Sequence, residues 1–181
     1  MKRVFAAIDI SEEVREEVRN YIEDLRSGFD GVPVKCEKQE KLHITVKFAG
    51  SVDEYQLNTF SERIRAVTKS LEPFQIRIAG TGAFVKRRGP SVLWLGTTIV
   101  DASDPFEVLG RLNEKRPFRP HLTIARIKDP KKAADLIRKH KSSEFESPQY
   151  EVSEIVLYES ALLPTGSVYT RLARFSFGAT Q

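Results

Sequence analysis

The sequence predicts an α+β fold with largely antiparallel strands, and three observations carry that reading. Strand and helix patterns are interleaved along the 181 residues, yet the connections are short and hairpin-rich, unlike the crossovers of a doubly wound parallel sheet. One pattern of histidine, aliphatic, threonine, aliphatic occurs twice, as His43-Ile44-Thr45-Val46 and His121-Leu122-Thr123-Ile124. The repeat predicts two similar half-structures facing each other across a cleft. No low-complexity linker separates the halves, so residues 1–181 read as a single domain of two intimately packed lobes, one motif from each (43–46 and 121–124).

Val4 to Ile8 reads as a first strand. Ser11 then caps a helix with Glu12 and Glu13 in its first turn, where carboxylates complement the helix dipole. Val14, Val18, Tyr21, Ile22 and Leu25 fall at helical spacing and form one apolar stripe. Residues 28–33 break the helix, and Leu42 to Phe48 is the first motif strand, closed by Gly50. Asp53 opens a second helix with Leu57, Phe60, Ile64, Val67 and Leu71 on one face and Pro73 just beyond it. Phe74 to Ile78 and Val92 to Ile99 look like a hairpin around the basic turn Lys86-Arg87-Arg88-Gly89-Pro90.

Asp104-Pro105 is a cap followed by proline at the first helical position, with Phe106, Leu109 and Leu112 inward. Pro117 and Pro120 bracket the approach to the second motif strand, His121 to Ile127. Asp129-Pro130 repeats the cap and proline signal and starts a basic helix through Lys139. Tyr150 to Leu157 and Val168 to Phe177 read as two strands joined around Pro164-Thr165-Gly166.

Composition narrows the function classes. With 40% hydrophobic and 30% charged residues, the chain is that of an ordinary soluble globular protein. No apolar run approaches the roughly 18 residues a membrane span needs, and the opening segment reaches Asp9 too soon for a secretory signal. Cys36 is the only cysteine, which excludes intramolecular disulfides and multi-cysteine metal sites and suits a reducing cytoplasm. No carboxylate sits in either histidine motif, so no catalytic metal is expected. The net charge of +4 favours an anionic partner. Its clusters, the basic turn at 86–90, four cations between Arg111 and Arg119, Lys131-Lys132 and the helix end at Arg138 to Lys141, fall in the half carrying the second motif. That distribution points to phosphate contact there.

Strand alternation turns the motifs into chemistry. Successive side chains point to opposite faces, so each motif delivers an imidazole and a hydroxyl to one face and an aliphatic pair to a core. Two opposed imidazoles can act as general base and general acid, because an unperturbed pKa of about 6.5 lets either form persist near neutrality. In-line displacement at phosphorus needs such a pair. Thr45 and Thr123 can donate to nonbridging oxygens, where negative charge must be accommodated. Arg126 would add a bidentate phosphate contact. Its parity matches Leu122 and Ile124, however, so it reaches the site only if the strand bends, bulges or ends there; otherwise it is a surface or salt-bridged arginine. Lys47 has the parity of the histidine face, whereas Phe48 has core parity and reads as packing. His140, between Lys139 and Lys141, reads as a cation at a helix C-terminus.

Leu42 to Gly50 and Pro120 to Arg126 closely resemble the two signatures of the two-histidine (2H) phosphoesterases, most closely the RNA 2′,3′-cyclic phosphodiesterase branch, also called the 2′-5′ RNA ligase family. The resemblance extends to the opening Arg3 to Ile8 strand and the closing Gly166 to Tyr169 segment. It implies a bilobal, pseudo-twofold fold: two largely antiparallel sheets flanking a central cleft, with helices on the outside. It also implies metal-free hydrolysis of a 2′,3′-cyclic phosphate terminus to a 2′-phosphate, without cofactor, with His43 as proton donor and His121 as proton acceptor. The motifs themselves are too alike to make that assignment. Reversible 2′-5′ ligation follows if a 5′-hydroxyl replaces water. The implied partner is RNA with a 2′,3′-cyclic phosphate end, tRNA fragments being one candidate source, with no membrane and no obligate protein partner. Two other readings stay open: a phosphodiesterase for a small cyclic nucleotide such as ADP-ribose cyclic phosphate, and a noncatalytic module that holds RNA ends.

Overall fold

Apolar alternation and capped amphipathic stripes produce the expected elements in order. The computed structural model describes residues 1–27, 29, 31–86, 91–101, 104–113, 117–164 and 166–178. The elements are β1 (Lys2–Asp9), α1 (Glu12–Arg26), β2 (Val34–Cys36), a short 3₁₀ turn (Gln39–Lys41), β3 (His43–Val52) and α2 (Glu54–Thr68). There follow β4 (Phe74–Phe84), β5 (Ser91–Ile99), α3 (Pro105–Gly110), β6 (His121–Ile127), α4 (Ala134–Ser142), β7 (Tyr150–Val152), β8 (Glu154–Leu163) and β9 (Gly166–Ser176). Ser11 caps α1 by accepting from the Val14 amide. Asp53 and Gln56 close a reciprocal capping box on α2.

The strands run β7-β4-β5-β6-β3-β1-β8-β9, with β2 added beside β6. The motif strands β6 and β3 are the two central neighbours, and three antiparallel strands extend outward from each. The two expected sheets meet at one residue pair, Ile44 with Leu122, which joins them into a single curled antiparallel sheet. Ile44 and Leu122 belong to the main core together with Val14, Val18, Ile22 and Leu25 of α1, Phe60 and Ile64 of α2, and Leu136 and Ile137 of α4. The helices therefore cover the aliphatic face of the motif strands and leave the histidine and threonine face open.

Three elements differ from expectation. Tyr150 to Leu157 is not one strand, because the chain changes partners at Ser153: β7 pairs with β4 and β8 with β1. Alternation continues through the switch and carries no record of which strand lies alongside. The helix expected at Asp129-Pro130 begins at Ala134; the Asp129 carboxylate accepts from the Lys131 and Lys132 amides and closes a turn instead. The three-residue β2 was not anticipated, since its sequence mixes polar and apolar residues over too short a span. Residues 87–90 of the expected basic turn, 114–116 of the second basic cluster, Thr165 of the last turn, and Gly28 and Asp30 of the first break lie outside the described residues. Among the described residues, no helix is long and apolar enough to cross a membrane.

Candidate active site

Antiparallel pairing of Ile44 with Leu122 sets the geometry. In that register His43 lies across from Thr123, and Thr45 across from His121. The four side chains share the face opposite the core, with the histidines at diagonal corners, roughly 7–8 Å apart at the backbone. Each motif strand then carries a bulge at the same offset. On β3 the register with β1 passes from Thr45 to Lys47 and skips Val46; on β6 the register with β5 passes from Thr123 to Ala125 and skips Ile124. Each skipped residue lies three positions after its histidine.

An extra residue reverses strand parity and frees a carbonyl from the ladder. Both freed carbonyls are satisfied from outside their own pair of strands. The Ile124 oxygen accepts from the Glu37 amide at 2.8 Å, and the Val46 oxygen accepts from Asn113 Nδ2 at 2.8 Å. The reversal sends Arg126 to the histidine face through a bulge, where it is also ion-paired to Glu37, so both features weighed from the sequence are present. It also corrects Phe48, which sits at the matching offset on β3. Phe48 is 47% exposed rather than packed in the core; it lines the cavity described below, with the Arg3 guanidinium 4.8 Å from its ring centre. Lys47 loses the parity expected of it and does not line the cavity.

The two imidazoles are held alike. His43 Nδ1 donates to the Lys41 carbonyl at 2.7 Å, and His121 Nδ1 donates to the Arg119 carbonyl at 2.8 Å, in each case two residues upstream. That bond fixes the ring and leaves Nε2 for chemistry. His43 Nε2 meets the Thr45 hydroxyl at 2.9 Å. The His43 ring stacks on Phe5 at 4.8 Å and meets Tyr169 edge-on at 5.5 Å. Burial pushes its pKa below the ordinary imidazole value, while the Lys41 carbonyl and the Asp9 and Glu37 carboxylates pull it back upward. The His121 ring packs edge-on against Phe84 and Trp94, at 5.2 and 6.3 Å.

A cavity of about 470 Å³ opens on this face and is lined by His43, Thr45, Thr123, Arg126, Phe48 and Tyr169, among others. His121 lies outside its wall, two positions before Thr123 on the same strand. Among the described residues, five cations line the cavity, Arg3, Lys35, Lys38, Lys41 and Arg126, against one carboxylate, Glu37. Glu37 accepts from Arg126 Nε at 2.9 Å, which leaves the terminal guanidinium nitrogens for a ligand. An anion is the natural occupant of such a space. Among the described residues, no group of three or more His, Cys, Asp or Glu side chains gathers as a cation site would need.

Sequence reasoning placed the phosphate-facing charge in the second half, and that placement needs correction. None of the described cations of those clusters lines the cavity; apart from Arg126, its positive charge comes from Arg3 and the segment 35–41. The three-residue spacing of Lys35, Lys38 and Lys41 was the available signal, obscured by the intervening Glu37 and Glu40. His140 is likewise not a surface cation. It is fully buried, with Nε2 donating to the Gly82 and Trp94 carbonyls at 3.0 and 3.1 Å and Nδ1 accepting from the Tyr21 hydroxyl at 2.8 Å. Those partners suit a neutral ring, and burial pushes its pKa down. Burial also pushes the Cys36 thiol up, so this cavity-lining cysteine is a poor nucleophile near neutrality.

Paired imidazoles on adjoining strands, threonine hydroxyls beside them and an arginine aimed into a cationic cavity define a protein suited to acid–base chemistry on a phosphoester. The chain belongs to the 2′-5′ RNA ligase superfamily, whose sequence pattern matches residues 14–162. It is 36% identical to the RNA 2′,3′-cyclic phosphodiesterase of Archaeoglobus fulgidus, over 96% of this chain and 99% of that one. Identity to the protein of the same name from Methanothermobacter thermautotrophicus is 34%, over 96% and 97%. The fold is shared with TT0787 of Thermus thermophilus, at a TM-score of 0.76 and 24% identity over 99% of this chain and 100% of that one. It is also shared with E. coli LigT complexed with 3′-AMP, at a TM-score of 0.71 and 22% identity over 97% and 98%.

Proposed function

We propose that this chain is an RNA 2′,3′-cyclic phosphodiesterase that opens a terminal 2′,3′-cyclic phosphate to a 2′-phosphate, with the two packed halves working as one unit. The observation that carries the reading is the register of Ile44 with Leu122, which sets two imidazoles at diagonal corners of one open face beside an arginine-bearing anion cavity. Diagonal placement suits an in-line displacement, whose attacking and leaving oxygens lie on opposite sides of phosphorus.

His121 Nε2 accepts a proton from water as the water oxygen bonds to phosphorus. The bond from phosphorus to the ribose 3′ oxygen breaks, and that oxygen takes a proton from His43 Nε2. Thr45, Thr123 and the free nitrogens of Arg126 stabilise the charge on the nonbridging oxygens. Burial disfavours the charged form of the His43 ring. A bound phosphate anion acts with Asp9 and Glu37 to favour the charged ring, so substrate binding prepares the acid. A 5′-hydroxyl in place of water would give a 2′-5′ linkage by the same steps, and their reversal would cleave it. RNA ends, tRNA fragments among them, are the proposed substrates, and the lone Cys36 fits action in the cytoplasm.

The test is ring opening of an oligoribonucleotide ending in a 2′,3′-cyclic phosphate, followed by phosphorus NMR with chelator present. Wild type is expected to yield the 2′-phosphate, and His43→Ala and His121→Ala to lose about 10²–10⁴ in rate. No ring opening by wild type, or full activity in both variants, rejects the proposal. Tight RNA binding without turnover would mark a noncatalytic end-binding module.

A further inference from the structure

Lys35 and Lys41 converge on one point, and among the described residues no carboxylate comes within 4 Å of it. Each ammonium nitrogen lies 3.9 Å from the place a side-chain carbon on Gly166 would occupy, next to the cavity-lining Ser167 at the start of β9. Gly166 has φ +123°, so this position disfavours any side chain and the approach stays open. Neither lysine forms an ion pair among the described residues. Two like charges drawn to one spot repel each other, and an anion between them turns that repulsion into attraction.

The register shows how this spot relates to the reacting phosphate. Lys35 on β2 is the direct cross-strand partner of Arg126 on β6. Glu37 holds Arg126 in the cavity with His43, Thr45 and Thr123, and Lys35 lines the same cavity while its ammonium nitrogen approaches Gly166, as does that of Lys41. The three cations thus line one cavity, with Arg126 beside Lys35 across the strand pair and the two lysines meeting near Gly166. Lys41, His43 and Tyr169 form a wall shared with a second cavity of about 500 Å³, whose charged lining is mixed: Arg15 and Arg171 beside Asp9 and Glu40.

We propose that Lys35 and Lys41 form a second phosphate subsite, which holds the internucleotide phosphodiester next to the reacting cyclic phosphate and directs the preceding nucleotide toward the second cavity. This deepens the cyclic phosphodiesterase reading and rests on it. The subsite makes the enzyme discriminate in favour of a strand end over a mononucleotide, which carries only the reacting phosphate. A lysine pair suits this task, because point charges on flexible stems follow a backbone phosphate without demanding one base.

The experiment compares three substrates: adenosine 2′,3′-cyclic phosphate, a diribonucleotide ending in the same cyclic phosphate, and that diribonucleotide with its internal linkage replaced by a neutral methylphosphonate. The readout is the ratio of kcat/KM for the charged dinucleotide to that for the mononucleotide, in wild type and in Lys35→Ala/Lys41→Ala. Both substrates are measured on one preparation, so any loss of folded enzyme cancels. The Lys41 carbonyl that orients His43 survives the substitution. The ratio is expected to fall about tenfold in the variant, and the methylphosphonate to lose a similar factor on wild type. The dependence of log KM on log salt for the charged dinucleotide should flatten by about 0.7. An equal ratio in wild type and variant, or equal rates for charged and neutral linkages on wild type, overturns the subsite. Ring opening of none of the three would instead overturn the phosphodiesterase reading, and the subsite with it.

Discussion

Replacing Arg126 separates a working phosphate clamp from a surface ion pair. Its Nε bonds Glu37 at 2.9 Å, and its side chain is 52% exposed, beside 21% for Glu37. An exposed ion pair contributes about 0–1 kcal/mol to folding, so Arg126→Ala should leave the urea midpoint almost where it was. Catalysis should respond quite differently. On the proposed mechanism the terminal nitrogens face the cavity in which negative charge grows on the nonbridging oxygens, and removal of one such preorganised donor costs about 2.7–4 kcal/mol of transition-state stabilisation. The expected result is a fall of about 10²–10³ in kcat for ring opening of the cyclic-phosphate oligonucleotide. Arg126→Lys keeps the charge but not the fork that serves Glu37 and phosphate together, so it should recover only about tenfold of that loss. Glu37→Gln should cost less than Arg126→Ala, since an amide oxygen can still accept from Nε. Steady-state kinetics and urea unfolding on the same preparations decide the matter. A kcat for Arg126→Ala within about threefold of wild type would refute the reasoning, because the bulge at Ile124 would then deliver Arg126 to the face without giving it work there.

Two further outcomes follow from the same geometry. Asn113→Ala removes the donor to the Val46 carbonyl and should destabilise the fold by about 1–3 kcal/mol in urea unfolding; an unchanged midpoint would mean that water serves that oxygen equally well. His43 and His140 both have folded pKa values held below the ordinary imidazole value near 6.5, mainly by burial. A depressed folded pKa means that the unfolded chain binds more protons as the pH drops. Stability should therefore be full above about pH 6.5 and fall below it, by up to about 1.4 kcal/mol per pH unit for each such histidine, until the folded values are reached. His140→Gln should be less stable overall, with a flatter acid limb; parallel limbs in variant and wild type would contradict the assignment.

Much of this was legible in the chain before any coordinates. The repeated histidine motif named both imidazoles and both threonines, because period-two alternation is local and reports faithfully which side chains share a strand face. The aliphatic members Ile44, Leu122 and Ile124 are fully buried, as that alternation requires. Capping and stripe signals likewise placed α1 and α2, whose hydrogen bonds and apolar faces are written within a few neighbouring residues.

What tertiary structure decided concerns relations between strands. A bulge is a mismatch in count between two partners, so neither motif alone could reveal that parity reverses at Val46 and Ile124, bringing Phe48 and Arg126 to the open face. Lys35 gained its place only through the pairing of β2 with β6, a partnership between segments far apart in the chain. The burial of His140 arose the same way, from the packing of α4 against α1 and β4. Local chemistry chose the candidate groups, and long-range pairing chose the company they keep, because register is a property of two strands and never of one.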